Sequence, residues 1–246
     1  MSGLLGYRRV LIVTAVEPER AAVLAGLRAG RSDRPAAGGP ALSNDGRAAA
    51  GGDGPLIDGV DLVTVGVGPA LAAATTARLL ADAEHSGRPF EAVICAGIAG
   101  GFAGRVEVGG LAVATRSIAA DLGADSPDGF IGLDELGFGT AKRSADLADR
   151  LREALPEAAA GSILSVSTVT GTAAGTKAIA ERYPDAVAEG MEGFGVACAA
   201  GERPFGEVRA ISNVVGPRDR STWRIAPALA ALETAFRRVA GVTLER

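Results

Sequence analysis

The sequence predicts an α/β fold, a single three-layer domain with helices packed on both faces of a central sheet. Short β-branched apolar runs alternate with alanine- and leucine-rich helical stretches along the chain. Two of those runs, Arg8–Thr14 and Ala92–Ala96, have continuous apolar centres, the look of strands buried on both faces. Hydrophobic residues make up 48% of 246 positions, ample material for one such core.

The first strand, Arg8–Thr14, leads into A-V-E-P-E-R-A-A-V-L-A-G-L. Pro18 suits the first turn of a helix, and Glu17 and Glu19 suit its positive end. Val23, Leu24 and Leu27 share a helical face, and Gly30 is placed to end it. From about 31 to 58 the chain is G, A, P, S, D and R with almost no large apolar side chain, so a flexible insertion is expected. Gly59–Val67 is a second strand, followed by a G-V-G-P turn and a helix over Ala70–Ala83. The third strand, Ala92–Ala96, runs into G-I-A-G-G-F, read as a glycine-rich turn whose backbone N–H groups face a polar ligand. It lacks the Gly-x-Gly-x-x-Gly order of a dinucleotide site, and no Walker lysine follows.

A strand over Val108–Thr115 precedes a glycine- and aspartate-rich loop at 119–142, which holds Phe130 and Phe138. Then come a helix over Ala145–Leu155, a strand over Ser162–Thr170 and a helix over Thr176–Tyr183. The chain closes with strands at Ala186–Glu189 and Glu207–Val214 and a last helix from Pro227 to about Val239.

Composition removes several classes of function. A net charge of −4 argues against nucleic acid as the main partner. No run of 18 apolar residues suggests a membrane span, and the N-terminus reads as a strand rather than a signal peptide. Cys95 and Cys198 lie in apolar runs and read as buried free thiols of a reducing, cytoplasmic compartment. His85 is the one histidine, in the polar tail of a helix. Neither a multi-histidine metal site nor Ser–His or Cys–His chemistry is expected, and no cofactor is called for. The chemistry left must use carboxylates, amides and backbone.

In sheets of this kind ligands sit at the carboxyl ends of the strands. Glu19, Gly97–Gly101, Thr168–Thr172, Glu192 and Asn213 all fall near such ends. Glu192 is the odd residue of A-E-G-M-E-G-F-G-V-A-C-A-A, a carboxylate in an apolar turn. Burial there costs several kcal/mol unless something hydrogen-bonds it. A sugar diol and the N–H groups of a helix start both fit the requirement.

Five pieces, T-A-V-E-P-E-R, V-G-V-G-P, C-A-G-I-A-G-G-F, G-M-E-G-F-G-V-A and R-A-I-S-N-V-V-G-P-R-D-R-S-T-W, occur in this order across nearly the whole chain. Together they resemble the nucleoside phosphorylase/hydrolase superfamily, most closely its hydrolase branch. The resemblance implies a mixed, twisted central sheet, a nucleoside as small-molecule substrate, water as co-substrate and a homo-oligomer, dimer or tetramer, in which Phe130 or Phe138 closes a neighbour's site. It implies that Glu192 accepts the ribose 2′- and 3′-hydroxyls, with Met191 beneath the sugar. Glu19 would position and deprotonate the attacking water, although a first-turn helix acid is its plainer role. Gly97 and Ile98 would let the backbone approach the nucleoside closely, and Thr170 would line the site.

Adenine-releasing nucleosidases of the superfamily carry an aspartate where this chain has Asn213. A 6-oxopurine offers an acceptor at O6, which an amide N–H satisfies, so Asn213 implies hypoxanthine as the leaving base. A turn residue at a strand end is the alternative for it. Phosphorolytic relatives hold phosphate with arginines, one just before the third strand's glycines, where Cys95 and Ala96 stand here. Arg20 beside Glu19 argues the other way. Arg116, Lys177, Arg218 and Arg220 are cationic candidates for an acidic group on the 5′ side, and Arg218 and Asp219 can equally be a structural pair. A 6-oxopurine nucleoside phosphorylase, an adenine-releasing nucleosidase and a non-catalytic nucleoside sensor are the competing functions.

Overall fold

The computed structural model describes residues 3–32 and 59–241. Most of the expected insertion, 33–58, lies outside the described residues. Ten strands and seven α-helices alternate through the described chain: β1 (Val10–Thr14), α1 (Glu17–Ser32), β2 (Val60–Thr64), α2 (Pro69–His85), β3 (Ala92–Gly101), β4 (Leu111–Ala119), β5 (Gly123–Ser126), β6 (Gly129–Gly132), α3 (Leu133–Leu136), β7 (Lys142–Ser144), α4 (Ala148–Ala154), β8 (Ala159–Ser165), α5 (Ala173–Arg182), β9 (Ala186–Gly190), α6 (Gly193–Ala200), β10 (Phe205–Val214) and α7 (Ile225–Gly241).

Eight strands form one mixed sheet. Its path runs β10-β4-β8-β9-β3-β1-β2, with β7 on β4, and β10 also pairs with β3. The last pairing joins the path to its own middle, so β3, β10, β4, β8 and β9 form a closed ring, with β1 and β2 extending from it. Side chains alternate between faces along each strand. On β1, Val10 and Ile12 join a core with Val23, Leu27, Leu232 and Phe236 of α1 and α7. Leu11 and Val13 join another with Leu80 of α2 and Val196 of α6. Continuous apolar runs in the sequence therefore became strands covered on both sides.

β3 carries most of what positions the site. One edge pairs with β10 along its length, Val93 with Phe205 through Gly101 with Val214. The other edge is shared. Ala92–Cys95 pair in parallel with β1, whereas Gly100 and Gly101 pair antiparallel with β9. Between them, near Gly97 and Ile98, one strand has left and the next has not arrived. A gap of this kind at a sheet's topological switch exposes backbone donors to a side chain or ligand.

Several sequence expectations need correction. The glycines after Ala96 do not make a turn; they continue β3 as strand, because β10 supplies ladder partners up to Gly101. Residues 119–142 are not a bare loop but include the β5–β6 hairpin and the one-turn α3. Gly30 does not end α1, which runs on through Ser32. Cys198 is exposed rather than buried, whereas Cys95 is buried as expected. Both remain free thiols.

Gly26 and Gly30 instead let α1 lie against α7. A Cβ at Gly26 would stand 2.1 Å from the Glu233 carbonyl oxygen, and one at Gly30 would stand 2.2 Å from that of Arg237. Gly26→Ala gains about 1 kcal/mol of helix propensity, but it forces the two helices apart, an overpacking cost of about 1–3 kcal/mol. Urea denaturation is expected to show a net loss of stability. A variant as stable as the parent would contradict this packing.

Candidate active site

Glu19 fills the gap on β3. Pro18 starts α1 where the chain leaves β1, and the first turn brings Glu19 inward, 3% exposed. Its Oε1 accepts the Ile98 N–H at 2.8 Å, and its Oε2 accepts those of Ala15 and Val16 at 2.9 and 3.2 Å. A Cβ at Gly97 would lie 2.6 Å from that Oε1, so the carboxylate can approach only because the residue is glycine. Burial raises the Glu19 pKa above the ordinary carboxylate value, with the Arg209 guanidinium and the backbone donors opposing. A carboxylate moved up in this way is a better proton acceptor near neutral pH.

Glu192 stands at the start of α6, 5% exposed. The sequence left its partner open between a sugar and the helix start. The structure supplies two other donors. Gly68 N–H, at the turn before α2, donates to Oε1 at 3.2 Å, and the Arg209 guanidinium donates to Oε2 at 3.1 Å. Each oxygen keeps a lone pair for a further donor. Met191 is half-buried beside it at the end of β9.

Arg209 was missed in the sequence. It is 1% exposed, on β10, with Glu207 on the same face two residues before. Its Nε donates to Glu207 at 2.9 Å, its second nitrogen to Glu192 and its third to the Cys95 sulfur at 3.3 Å. A Cβ at Gly193 would lie 2.2 Å from a Glu207 oxygen, so the first residue of α6 must be small for that carboxylate to fit. Burial opposes the charge on Arg209, but the surrounding carboxylates outweigh it and keep the guanidinium protonated. Burial raises Glu207 as well, and it pushes the Cys95 thiol well above its usual range. The signal was legible: E-V-R puts opposite charges two apart within an otherwise apolar strand.

Asn213 lies near the end of β10, half-buried, after a register shift that follows Ile211. The Ser212 hydroxyl donates to its Oδ1 at 2.8 Å, and its Nδ2 donates to the Val214 carbonyl at 3.0 Å. It lines a cleft with Gly100, Thr170, Glu189, Arg218 and Trp223. Thr170, expected to meet substrate, gives both its donors to Glu189: N–H at 2.8 Å and hydroxyl at 2.5 Å. A larger cavity of about 380 Å³, walled by Phe130, Ile179 and Arg182, adjoins at Thr170.

The expected residues thus divide into two groups along β3. Glu19, Gly97, Ile98 and Glu192 gather around Arg209, and Asn213 and Thr170 flank the cleft near Gly100. The cations are less unified. Arg116 pairs with Asp185, Lys177 with Glu181 and Arg20 with Glu17. Arg218 lies over the Trp223 ring at 5.3 Å and Asp219 accepts from Ser221, so these neighbours are engaged separately rather than as a pair. Arg220 begins a short 3-10 turn. Phe130 lies under the Arg182 guanidinium, and Phe138 is 78% exposed. Among the described residues no group of three metal-ligating side chains occurs, and no helix is long and apolar enough to cross a membrane.

The gap on β3 thus gathers two buried carboxylates, Glu19 and Glu192, at the carboxyl ends of β1 and β9. A model of the phosphorylase superfamily matches residues 9–245, and the chain belongs to that superfamily. It is 51% identical over 191 residues to the futalosine hydrolase of Streptomyces coelicolor, covering 76% of this chain and 81% of that protein. Among solved structures, the futalosine hydrolase of Helicobacter pylori shares the fold with a TM-score of 0.70 and 15% identity, covering 94% of this chain and 97% of that one. A methylthioadenosine/S-adenosylhomocysteine nucleosidase from Colwellia psychrerythraea, in complex with adenine, gives a TM-score of 0.69 at 21% identity, over 97% and 98% of the two chains.

Titration of Glu19 gives a test of its burial. Its folded pKa lies above the unfolded one, so the folded chain holds the proton more firmly. The stability this contributes is complete below the unfolded value and is lost as pH rises through the folded value. The unfolding free energy of the parent minus that of Glu19→Gln is therefore expected to fall as pH rises from 4.5 toward neutrality. A difference that is flat, or that grows with pH, would contradict the assignment.

Proposed function

We propose that the chain is an N-ribosyl hydrolase that splits futalosine into hypoxanthine and dehypoxanthinyl futalosine, a step on a menaquinone route. Identity of 51% to the Streptomyces coelicolor futalosine hydrolase supports the substrate. The observation that carries hydrolysis is the charge around Gly97. Three buried carboxylates, Glu19, Glu192 and Glu207, surround one guanidinium whose three nitrogens already donate to Glu207, Glu192 and Cys95. Such a site repels a phosphate dianion and suits a neutral water. Arg20, the residue that argued for phosphate, is turned to Glu17 at 2.8 Å.

In the mechanism, Glu192 receives the ribose 2′- and 3′-hydroxyls on its remaining lone pairs, with Met191 beneath the sugar. The bond from C1′ to N9 lengthens, and C1′ gains oxocarbenium character. Asn213 stabilises the departing hypoxanthine through its amide N–H at O6 or N7 as negative charge develops there. Glu19 takes a proton from a water that bonds to C1′, and Gly97 and Ile98 leave room for it. Arg209 positions Glu192 and tempers the basicity of Glu19. Of the cationic candidates, Arg218 lines the cleft beside Asn213. A homo-oligomer in the cytoplasm completes the proposal.

Hypoxanthine release from futalosine is expected to proceed at the same rate with and without phosphate. Glu19→Gln is expected to lower kcat by about 10²–10⁴-fold. An absolute phosphate requirement, or full turnover by Glu19→Gln, would overturn the hydrolase assignment.

A further inference from the structure

We infer that Glu189 is the residue that separates 6-oxopurine from 6-aminopurine substrates, by accepting the N1–H of the bound base. The inference rests on the hydrolase function proposed above and assigns its base specificity to a side chain outside the residues expected from the sequence. Glu189 is opposite Gly100 in the β9–β3 ladder, and Asn213 is opposite the same glycine in the β3–β10 ladder. The three residues form one row across three neighbouring strands. With strands spaced by about 4.8 Å, the outer two backbones are about 10 Å apart. The central position has no side chain, and a Cβ there would lie 3.3 Å from Asn213 Nδ2. Glu189 and Asn213 therefore flank Gly100, whose missing Cβ leaves room for a Val215 methyl, and both line one cleft.

The Glu189 carboxylate is buried at the edge of this cleft and held from one side. It is 5% exposed, and each oxygen accepts one donor from Thr170, the N–H at Oε1 and the hydroxyl at Oε2. Each oxygen keeps a lone pair. Burial pushes the carboxyl pKa up, while the two Thr170 donors favour the ionised form. Thr170 is thus a positioning residue for Glu189.

The discriminating step needs such a group. The Ser212 hydroxyl and the Val214 carbonyl hold the Asn213 amide in one orientation, so it reads position 6 of the base alone and leaves the neighbouring N1 unread. An ionised carboxylate only accepts. Beside position 6, hypoxanthine carries an N1–H donor and adenine an N1 lone pair. Glu189 pairs with the first and repels the second, leaving buried polar groups unmatched, a condition that rejects a wrong substrate strongly. Together the amide and the carboxylate read two adjacent positions of the base, 6 and N1.

The test compares kcat/KM for hypoxanthine release from futalosine with that for adenine release from its 6-amino counterpart. In Glu189→Gln the ratio is expected to fall at least tenfold, mainly through gain of the 6-amino substrate, because the new amide can donate to N1. Thr170→Val, at a half-buried position, is expected to lower the ratio several-fold by releasing Oε2 while the backbone N–H still holds Oε1, and it serves where Glu189→Gln does not fold. Calorimetric binding of free hypoxanthine and free adenine follows the same preference without turnover. If the parent does not act on futalosine, the hydrolase assignment fails, and Glu189 stands where Glu189→Gln loses the parent's preference for free hypoxanthine. If the parent cleaves futalosine and the folded variants keep its ratio and its base preference, Glu189 is a clasp for the 166–172 loop and the inference is overturned.

Discussion

The arrangement depends on one buried cation. Arg209 has almost no contact with solvent, and its nitrogens reach Glu192, Glu207 and Cys95. Placing a guanidinium and carboxylates beneath α6 costs several kcal/mol per ion, which their mutual attraction offsets only when the geometry satisfies each donor. Small residues at Gly97 and Gly193 make that geometry possible, and the mixed sheet sets the distances. β10 must lie beside β3 for Arg209 to reach Cys95, and β9 must end at Gly190 for Glu192 to turn back over the guanidinium. The cation ties three strands and the start of a helix to one point.

The same connectivity explains why Glu19 is available. β1 leaves the edge of β3 before β9 joins it, and the Ile98 N–H is left to a side chain. A continuous ladder there would have left no donor to claim, and the carboxylate would have stayed at the helix surface as an ordinary first-turn acid. A sheet gap and a helix start together turn a common first-turn acid into a buried, hydrogen-bonded carboxylate.

Much of the fold was legible because both-face burial leaves a plain mark: V-L-I-V in β1 and A-V-I-C-A in β3 have no polar interruption. Elements whose form depends on a partner were not. G-I-A-G-G reads locally as a turn, yet it is strand because β10 lies alongside, and 119–142 has too few apolar residues for its hairpin to stand out. The site was legible where a residue is out of keeping with its neighbours, as Glu192 is. Arg209 had that mark and Thr170 did not. Asn213 and Glu189 could not be related from sequence, since they meet only through Gly100, a residue that contacts them across two different ladders.

In the proposed mechanism Arg209 holds Glu192 in place and sets the charge around Glu19. The direct measurement is kcat/KM on futalosine for Arg209→Met, together with its unfolding free energy. Loss of the cation strands Glu192 and Glu207 without their shared partner, so a destabilisation of about 3–5 kcal/mol is expected. Turnover by the molecules that remain folded should fall at least a hundredfold, because Glu192 loses the donor that positions it and Glu19 loses the neighbouring positive charge. A folded Arg209→Met protein with near-parental kcat/KM would contradict the account.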